Sequence, residues 1–564
     1  MDYKDRFWVK SYDPGVLQDV EIPRQTFVDL LEEGLANNPD RAALHYMGFT
    51  MTFRQLDEAG RRFGRFLKDQ SLGAGDVVGI NLPNVPQYLI ALTGSHRAGL
   101  ATTGISALLT PKELAHQLND SGAKVLVIMD ALFEKNLVPI ADKVPDLKFV
   151  IPTSVGDYLP PVKRFLGNLF KKIPRGAIVP LTGKKVLPFK QVLANAQPVL
   201  PKLEIKPADV CLIQYTGGTT GLPKGVELTH GNLVANLSQA RTWTEFAMGT
   251  DVFCSGFPFF HQAGQVFGMV AMATGNTQCL IPDPRNTGHI ASEIKTHGAT
   301  VIANVPTLYR MLLDDPKFRA LDFSKVRACI SGAAPFSPEA IRALEDVVGK
   351  GKVLEVYGMT ETSPLITVNP YLGKKKVGSV GLPLPNTRVR IMDVETGTHD
   401  VPVGQEGELV VNGPQVMAGY HNKPDETAHA VREHDGLPWL HTGDVARMDD
   451  EGFVFIVDRA KDMLNVGGYK VFSREVEDTL YQHPAVSYCA IVGVKDPKRP
   501  ESDIVKAVIQ LNAENLSKDP EALKSDILEF SKKNMSPYKV PKIIEFTQAI
   551  PLTAVGKVDK KMLR

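Results

Sequence analysis

Residues 124–129, KVLVIM, carry a single polar side chain, and it comes first. A run of that length without polar alternation is what a strand buried on both faces requires, and such strands belong to parallel sheets covered by helices. The same rhythm returns at 76–82, which closes on Pro83, and at 300–305, 326–330 and 352–356. Helical patterns or glycine-bearing loops follow. Between 26 and 67 the apolar residues recur at helical spacing around a short strand at 42–46, and 86–98 opens another helix-rich stretch. The class predicted is α/β, with a large N-terminal domain of doubly wound sheets and ligands at the carboxyl ends of the strands. Two shorter β pieces, 404–411 and 453–458, are broken by Gly and Asp turns and predict a small barrel-like subdomain. Past Asp458 the pattern changes to helix at 474–483, strands at 485–494 and 505–511, helix at 523–534 and strand at 543–546. That is about a hundred residues with an α+β core of their own, a separate small domain. At 564 residues and 43% apolar, the chain has material for two or more cores.

One loop stands out chemically. Residues 215–225, YTGGTTGLPKG, follow the strand-like run 210–213 and pack four glycines, three threonines and a lysine into eleven positions. Glycines let backbone N–H groups approach phosphate oxygens, and hydroxyls and a cation add to the cradle. The loop is not the Walker A type, which ends in Gly-Lys-Ser/Thr to put a hydroxyl on Mg²⁺; here Pro223 precedes Lys224 and Gly225 follows it. The plain alternative is a glycine-rich turn between two strands, which leaves the threonines and the lysine without a use.

Five more motifs follow in order: SGAAP at 331–335, VYGMTET at 356–362, HTGD at 441–444, DRAKDMLNVGGYKV at 458–471 and VGK at 555–557. With the glycine loop, the set resembles the adenylate-forming superfamily of acyl-CoA synthetases, most closely the bacterial long-chain fatty acid to CoA ligases. The resemblance implies an ATP-dependent ligation in two steps. A fatty acid, long or medium in chain, is first joined to AMP with loss of pyrophosphate and then passed to coenzyme A. It implies ATP, Mg²⁺ and coenzyme A as cofactors. It also implies a division into a large domain at 1–458, a hinge at 459–464 turning on Lys461, and a mobile small domain at 465–564.

Roles carry over position by position. Thr216, Gly217, Gly218, Thr219, Thr220, Gly221 and Lys224 would hold phosphates, and Thr219 and Glu361 would attend the Mg²⁺. Gly217 departs from the many relatives with serine or threonine there, so one hydroxyl contact is missing. Tyr357 offers a face for adenine, and Gly332, Ala333, Ala334, Gly358 and Thr360 let backbone approach the nucleotide. Asp444 suits the ribose hydroxyls, with Arg459 beside it. Lys557 matches the family's catalytic lysine, a mobile cation for adenylation, amid Lys560 and Lys561, which read as a solvated basic tail. Rotation about Lys461 would remove Lys557 and bring the Gly467-Gly468 loop to the thiol step. The acyl end rests on residues 257–269: the aromatics and glycines of FPFFHQAGQVFGM would wall and open a hydrophobic pocket, with His261 beside the carboxylate. Two rivals remain: a ligase for an aryl or short-chain acid, and an ATP-gated lipid-binding or trafficking protein that makes no thioester. No carrier domain follows Lys557, which sets aside a peptide-synthetase module.

A net charge of +1 gives no global field for nucleic acid. Five scattered cysteines without metal spacing fit a reducing compartment, and no apolar window reaches membrane-spanning length, so a cytoplasmic enzyme is expected. One stretch lies outside every motif. In 159–174, LPPVKRFLGNLFKKIP, Val162, Phe165, Leu166, Leu169, Phe170 and Ile173 form one stripe at helical spacing, flanked by Lys163, Arg164, Lys171 and Lys172. It predicts a helix between Pro161 and Pro174, marginal without a surface to order it. That surface is an anionic membrane, making the enzyme peripheral on the inner face, or else the large domain or a second copy in a homodimer.

Overall fold

The computed structural model describes residues 2–563 except 217–222, 246–247, 460–461, 468, 498 and 554–557. Two large sheets dominate. The first runs from Leu382–Pro383 through Leu365–Val368, Val353–Gly358, Ala328–Ser331, Val301–Asn304, Val252–Ser255, Thr277–Leu280 and Ala42–Tyr46 to Phe49–Thr52. Its interior pairs are parallel and its edges antiparallel. The second runs from Gly419–Tyr420 through Lys224–Thr229, Val210–Thr216, Ala101–Gly104, Val77–Asn81, Ala123–Met129 and Phe149–Thr153 to Lys185–Val186. It is parallel from Val210–Thr216 onward. Val125, Leu126, Val127 and Ile128 are wholly buried, as an uninterrupted apolar run demands.

The helix Pro86–Arg97 is buried along its whole length and lies against Phe53–Asp69. Glycine makes that approach close: a Cβ on Gly94 would stand 2.6 Å from the Gly60 carbonyl oxygen. Arg97, buried at the end of the same helix, is held by Glu32 and Asp57.

The expected barrel-like piece is a five-stranded antiparallel sheet bent around one long strand, Leu437–Met448, which pairs with Gly407–Asn412, Val431–His434 and Val454–Arg459. Arg388–Met392 completes it. Trp8, from an N-terminal segment that carries no periodic signal, is fully buried in its core.

Beyond Arg459 a three-stranded sheet, Val486–Asp496, Arg499–Leu511 and Ile543–Thr547, carries the helices Ser473–Leu480 and Pro520–Asn534. Leu464, Val476, Ile491, Ile509 and Ile527 close a core of its own. Asp458 ties this unit to the large one: its buried carboxylate accepts the Ser473 N–H, while Arg310 of the large unit lies over the rings of Tyr481 and Tyr488 at 4.9 and 5.3 Å. Lys560 is not a solvated tail residue. It is mostly buried and pairs with Glu477 at 2.9 Å, because the chain end folds back onto the helix Ser473–Leu480.

The glycine loop joins two antiparallel strands, Val210–Thr216 and Lys224–Thr229, so it is a hairpin connection. One expectation is corrected. The helix expected over 161–173 stops at Leu169. Lys171 turns left-handed (φ 54°), the Lys172 N–H donates to the Gly167 carbonyl, and Ile173 folds back onto Gly156 and Gly167.

Candidate active site

Lys224 opens the second strand of the glycine-loop hairpin, opposite Thr216. The threonine cap at the far end of that strand, Thr229 Oγ1 accepting from the Asn232 N–H, starts the helix His230–Thr244 and fixes the strand's direction. The two-residue strand Gly419–Tyr420 pairs along the same edge, Tyr420 opposite Val226. It carries Tyr420 into place. The tyrosine O–H donates to Glu361 Oε1 at 2.8 Å, and the Lys224 ammonium sits 4.7 Å from its ring centre. Lys224 is also paired to Glu426 Oε2 at 2.6 Å, which holds that exposed carboxyl below its usual range.

Glu361 comes from the other large sheet. The strands Ala328–Ser331 and Val353–Gly358 are parallel neighbours, so the SGAAP and VYGMTET segments emerge side by side at their carboxyl ends. Gly332 packs against Val356, where a Cβ would meet its Cγ2 at 2.7 Å; Ala333 is left-handed (φ 67°). Gly358 has no room for a side chain, its Cβ position lying 1.7 Å from the Pro364 carbonyl oxygen. Thr360, Glu361 and Thr362 form one tight helical turn with Glu361 buried, and Met417 N–H donates to the Glu361 carbonyl. Burial pushes the Glu361 carboxyl up, against the lowering effect of the Tyr420 hydrogen bond and of Arg459.

The third sheet supplies Asp444 and Arg459, opposite one another in register. Asp444 is buried; Tyr357 O–H donates to its Oδ2 at 2.6 Å, and Arg459 Nε lies 3.2 Å from Oδ1. Asp444 in turn holds the guanidinium charged, and burial with Asp444 keeps the Tyr357 phenol protonated. Three sheets thus bring Lys224, Glu361, Tyr357, Asp444 and Arg459 to one locus with Tyr420 and Glu426. The last two carry no role by motif. Their signal is the stretch at 419–426, Gly-Tyr followed by a proline-started helix with acids in its first turn.

His261 caps the helix Gln262–Ala273, its Nδ1 accepting from the Ala263 N–H at 3.4 Å. The expectation that Gly264 and Gly268 open a pocket is corrected. A Cβ on Gly264 would lie 2.2 Å from the Pro258 carbonyl oxygen and one on Gly268 2.9 Å from Phe259, so these glycines serve close packing. Phe257 and Phe259 are buried, with Phe259 5.2 Å from Tyr88. Gly467 turns left-handed at the tip of the hairpin Leu464–Val466 and Tyr469–Val471, its N–H donating to Ser502 Oγ within the C-terminal unit. Gly217, Gly218, Thr219, Thr220, Gly221, Lys461, Gly468 and Lys557 lie outside the described residues.

Residues 31–421 match the family model described as AMP-binding enzyme, and 475–557 match that of the AMP-binding enzyme C-terminal domain. The chain is 36% identical over 566 residues to a long-chain-fatty-acid–CoA ligase of Escherichia coli O6:H1, covering 99% of this chain and 98% of that one. To the ligase of the same description from Yersinia pestis it is 37% identical, with the same coverage. Among solved structures, an anthranilate CoA ligase in complex with anthranoyl-AMP superposes with a TM-score of 0.82 at 26% identity, over 100% of this chain and 98% of that one. A glycine hairpin flanked by a lysine, a buried glutamate and a tyrosine–aspartate pair, in a chain matched this completely, places the protein in the family of AMP-binding enzymes.

Proposed function

We propose that the chain joins a fatty acid, long or medium in chain, to coenzyme A through an acyl-adenylate. A carboxylate is inert because its leaving group would be oxide. Attack of one carboxylate oxygen on the α-phosphorus of ATP breaks the bond from that phosphorus to the bridging oxygen, and pyrophosphate leaves. The sulfur of coenzyme A then adds to the acyl carbon; AMP departs carrying the acid's oxygen, and the thiol proton goes to solvent. The observation that carries this reading is the convergence of Lys224, Glu361 and the Tyr357–Asp444–Arg459 group beside the glycine hairpin.

In this reading Thr216, the loop that follows it and Lys224 meet the phosphates. Gly332 to Ala334, Gly358 and Thr360 offer backbone to the nucleotide, Tyr357 offers its ring, and Asp444 with Arg459 offers the ribose partners. His261 lies toward the carboxylate. Glu361, a buried carboxylate with one oxygen bonded by Tyr420, has the hard-oxygen chemistry that suits Mg²⁺, together with Thr219, and the ion when bound would offset the charge of the departing pyrophosphate. Lys557 acts in adenylation, and residues 459–464 form the hinge on which 465–564 turns, bringing Gly467 and Gly468 to the second step. With a water-insoluble acid as substrate, peripheral association with the inner face of a membrane belongs to the same reading; among the described residues no helix is long and apolar enough to cross one.

The test is incubation with ATP, Mg²⁺, coenzyme A and a panel of acids from acetate and benzoate to palmitate. AMP, pyrophosphate and a thioester, fastest with the longer aliphatic acids, is the expected outcome. A preference for aryl or short acids would move the substrate class, and nucleotide binding without turnover would favour a lipid-binding protein.

A further inference from the structure

The helix Pro161–Leu169 has no buried residue. Val162, Phe165, Leu169 and Phe170 are 62–70% exposed and Leu166 is 42% exposed, and all five fall on its one apolar stripe. Single exposed apolar residues are ordinary, but a contiguous stripe on a soluble chain marks a contact site. The helix is nevertheless anchored. Ile173 is buried against Gly167 and Gly156, and Lys163 Nζ donates to the Met47 carbonyl at 2.9 Å, so the chain orders the helix with the stripe facing outward.

Charge identifies the occupant. From 158 to 186 the chain has seven Lys and Arg and no Asp or Glu. Lys163, Arg164, Lys171, Lys172 and Arg175 are all exposed around the stripe, and Ile178 and Val179 extend the apolar surface at 46% and 38% exposure. A second copy fits poorly, because a two-fold contact would bring two unrelieved basic rims face to face. A nucleic acid would leave the aliphatic part of the stripe, Val162, Leu166 and Leu169, without a partner. An apolar strip rimmed by cations matches a surface with phosphate groups above acyl chains. We propose that the helix Pro161–Leu169 and the basic segment after it are a docking surface for an anionic lipid bilayer. The surface stands on its own geometry; that it delivers a membrane-dissolved acid rests on the ligase reading above.

The experiment is co-sedimentation of the full chain with vesicles of phosphatidylcholine alone or mixed with phosphatidylglycerol, at low and high salt. Binding should appear on the mixed vesicles at low salt and fall about tenfold or more on the neutral ones and at high salt. The triple variant Phe165→Ser, Leu169→Ser, Phe170→Ser should lose about tenfold or more of that binding. The variant Lys171→Glu, Lys172→Glu, Arg175→Glu should lose the preference for anionic lipid. Both should keep the parent's circular dichroism, elution volume and rate with a soluble short-chain acid. Absence of parent binding at low salt would overturn the proposal, as would undiminished binding of the serine variant, its unfolding, or its conversion from dimer to monomer. The vesicle arms read out even if no acid is turned over, so failure of the ligase reading would be seen separately.

Discussion

At the scale of single residues, the site is held together by contacts that a ligand must reorganise. Lys224 is paired with Glu426 and lies over Tyr420, so a phosphate held by Lys224, as proposed, would compete with a carboxylate for the same cation. Glu426→Gln should therefore lower KM for ATP, by no more than several-fold because the pair is exposed, while Lys224→Ala should raise it; steady-state kinetics with varied ATP measures both. Tyr420 acts on Glu361. Its O–H bond lowers a carboxyl that burial has raised, so Tyr420→Phe should raise that carboxyl further. More of it is then protonated at a given pH, and the acid limb of the kcat/KM profile should move to higher pH with the alkaline limb unchanged. An unmoved acid limb would mean that Glu361 does not need its charge.

At the scale of elements, what was legible in the sequence is what local composition decides. Residues 124–129 and 300–305 read as buried strands because both faces are apolar, and the observed strands are Ala123–Met129 and Val301–Asn304. The strand Lys224–Thr229 leaves no pattern of its own because its first two residues belong to the glycine motif, and Gly419–Tyr420 is too short to leave one. Tyr420 meets Glu361 across 59 residues, a contact that no local signal encodes. The helix Pro161–Leu169 was legible in its stripe but not in its end, which a left-handed Lys171 and the return of Ile173 decide. Glycines such as Gly94 leave no periodic signal in the sequence, and in the fold they serve close packing. Gly94→Ala should cost about 1–3 kcal/mol, since its methyl would press on the Gly60 carbonyl; chemical denaturation measures it, and a change within about 0.5 kcal/mol would mean that the two helices separate freely.

At the scale of the whole molecule, the order of the motifs along the chain carried the functional reading, and the fold explains why order suffices. The glycine loop joins two strands of one large sheet, SGAAP and VYGMTET end neighbouring strands of the other, HTGD and Arg459 lie on paired strands of the third, and the three sheets converge. The C-terminal unit has its own core and meets the rest through contacts such as the Asp458–Ser473 bond and the Arg310 stack. Such contacts suit two alternative placements better than one fused core would. If the unit carries Lys557 to the first step only, Lys557→Ala should stop ATP-dependent release of pyrophosphate yet still convert supplied acyl-adenylate and coenzyme A into thioester. Equal loss of both half-reactions would refute the division of labour.

The acyl-adenylate route requires that an oxygen of the acid pass to AMP. A fatty acid labelled with ¹⁸O in its carboxylate, incubated with ATP, Mg²⁺ and coenzyme A, tests it by mass spectrometry of the nucleotide product. One labelled oxygen in AMP, with none in pyrophosphate, is the result expected. Label in inorganic phosphate, or AMP released without label while thioester forms, would contradict the acyl-adenylate route.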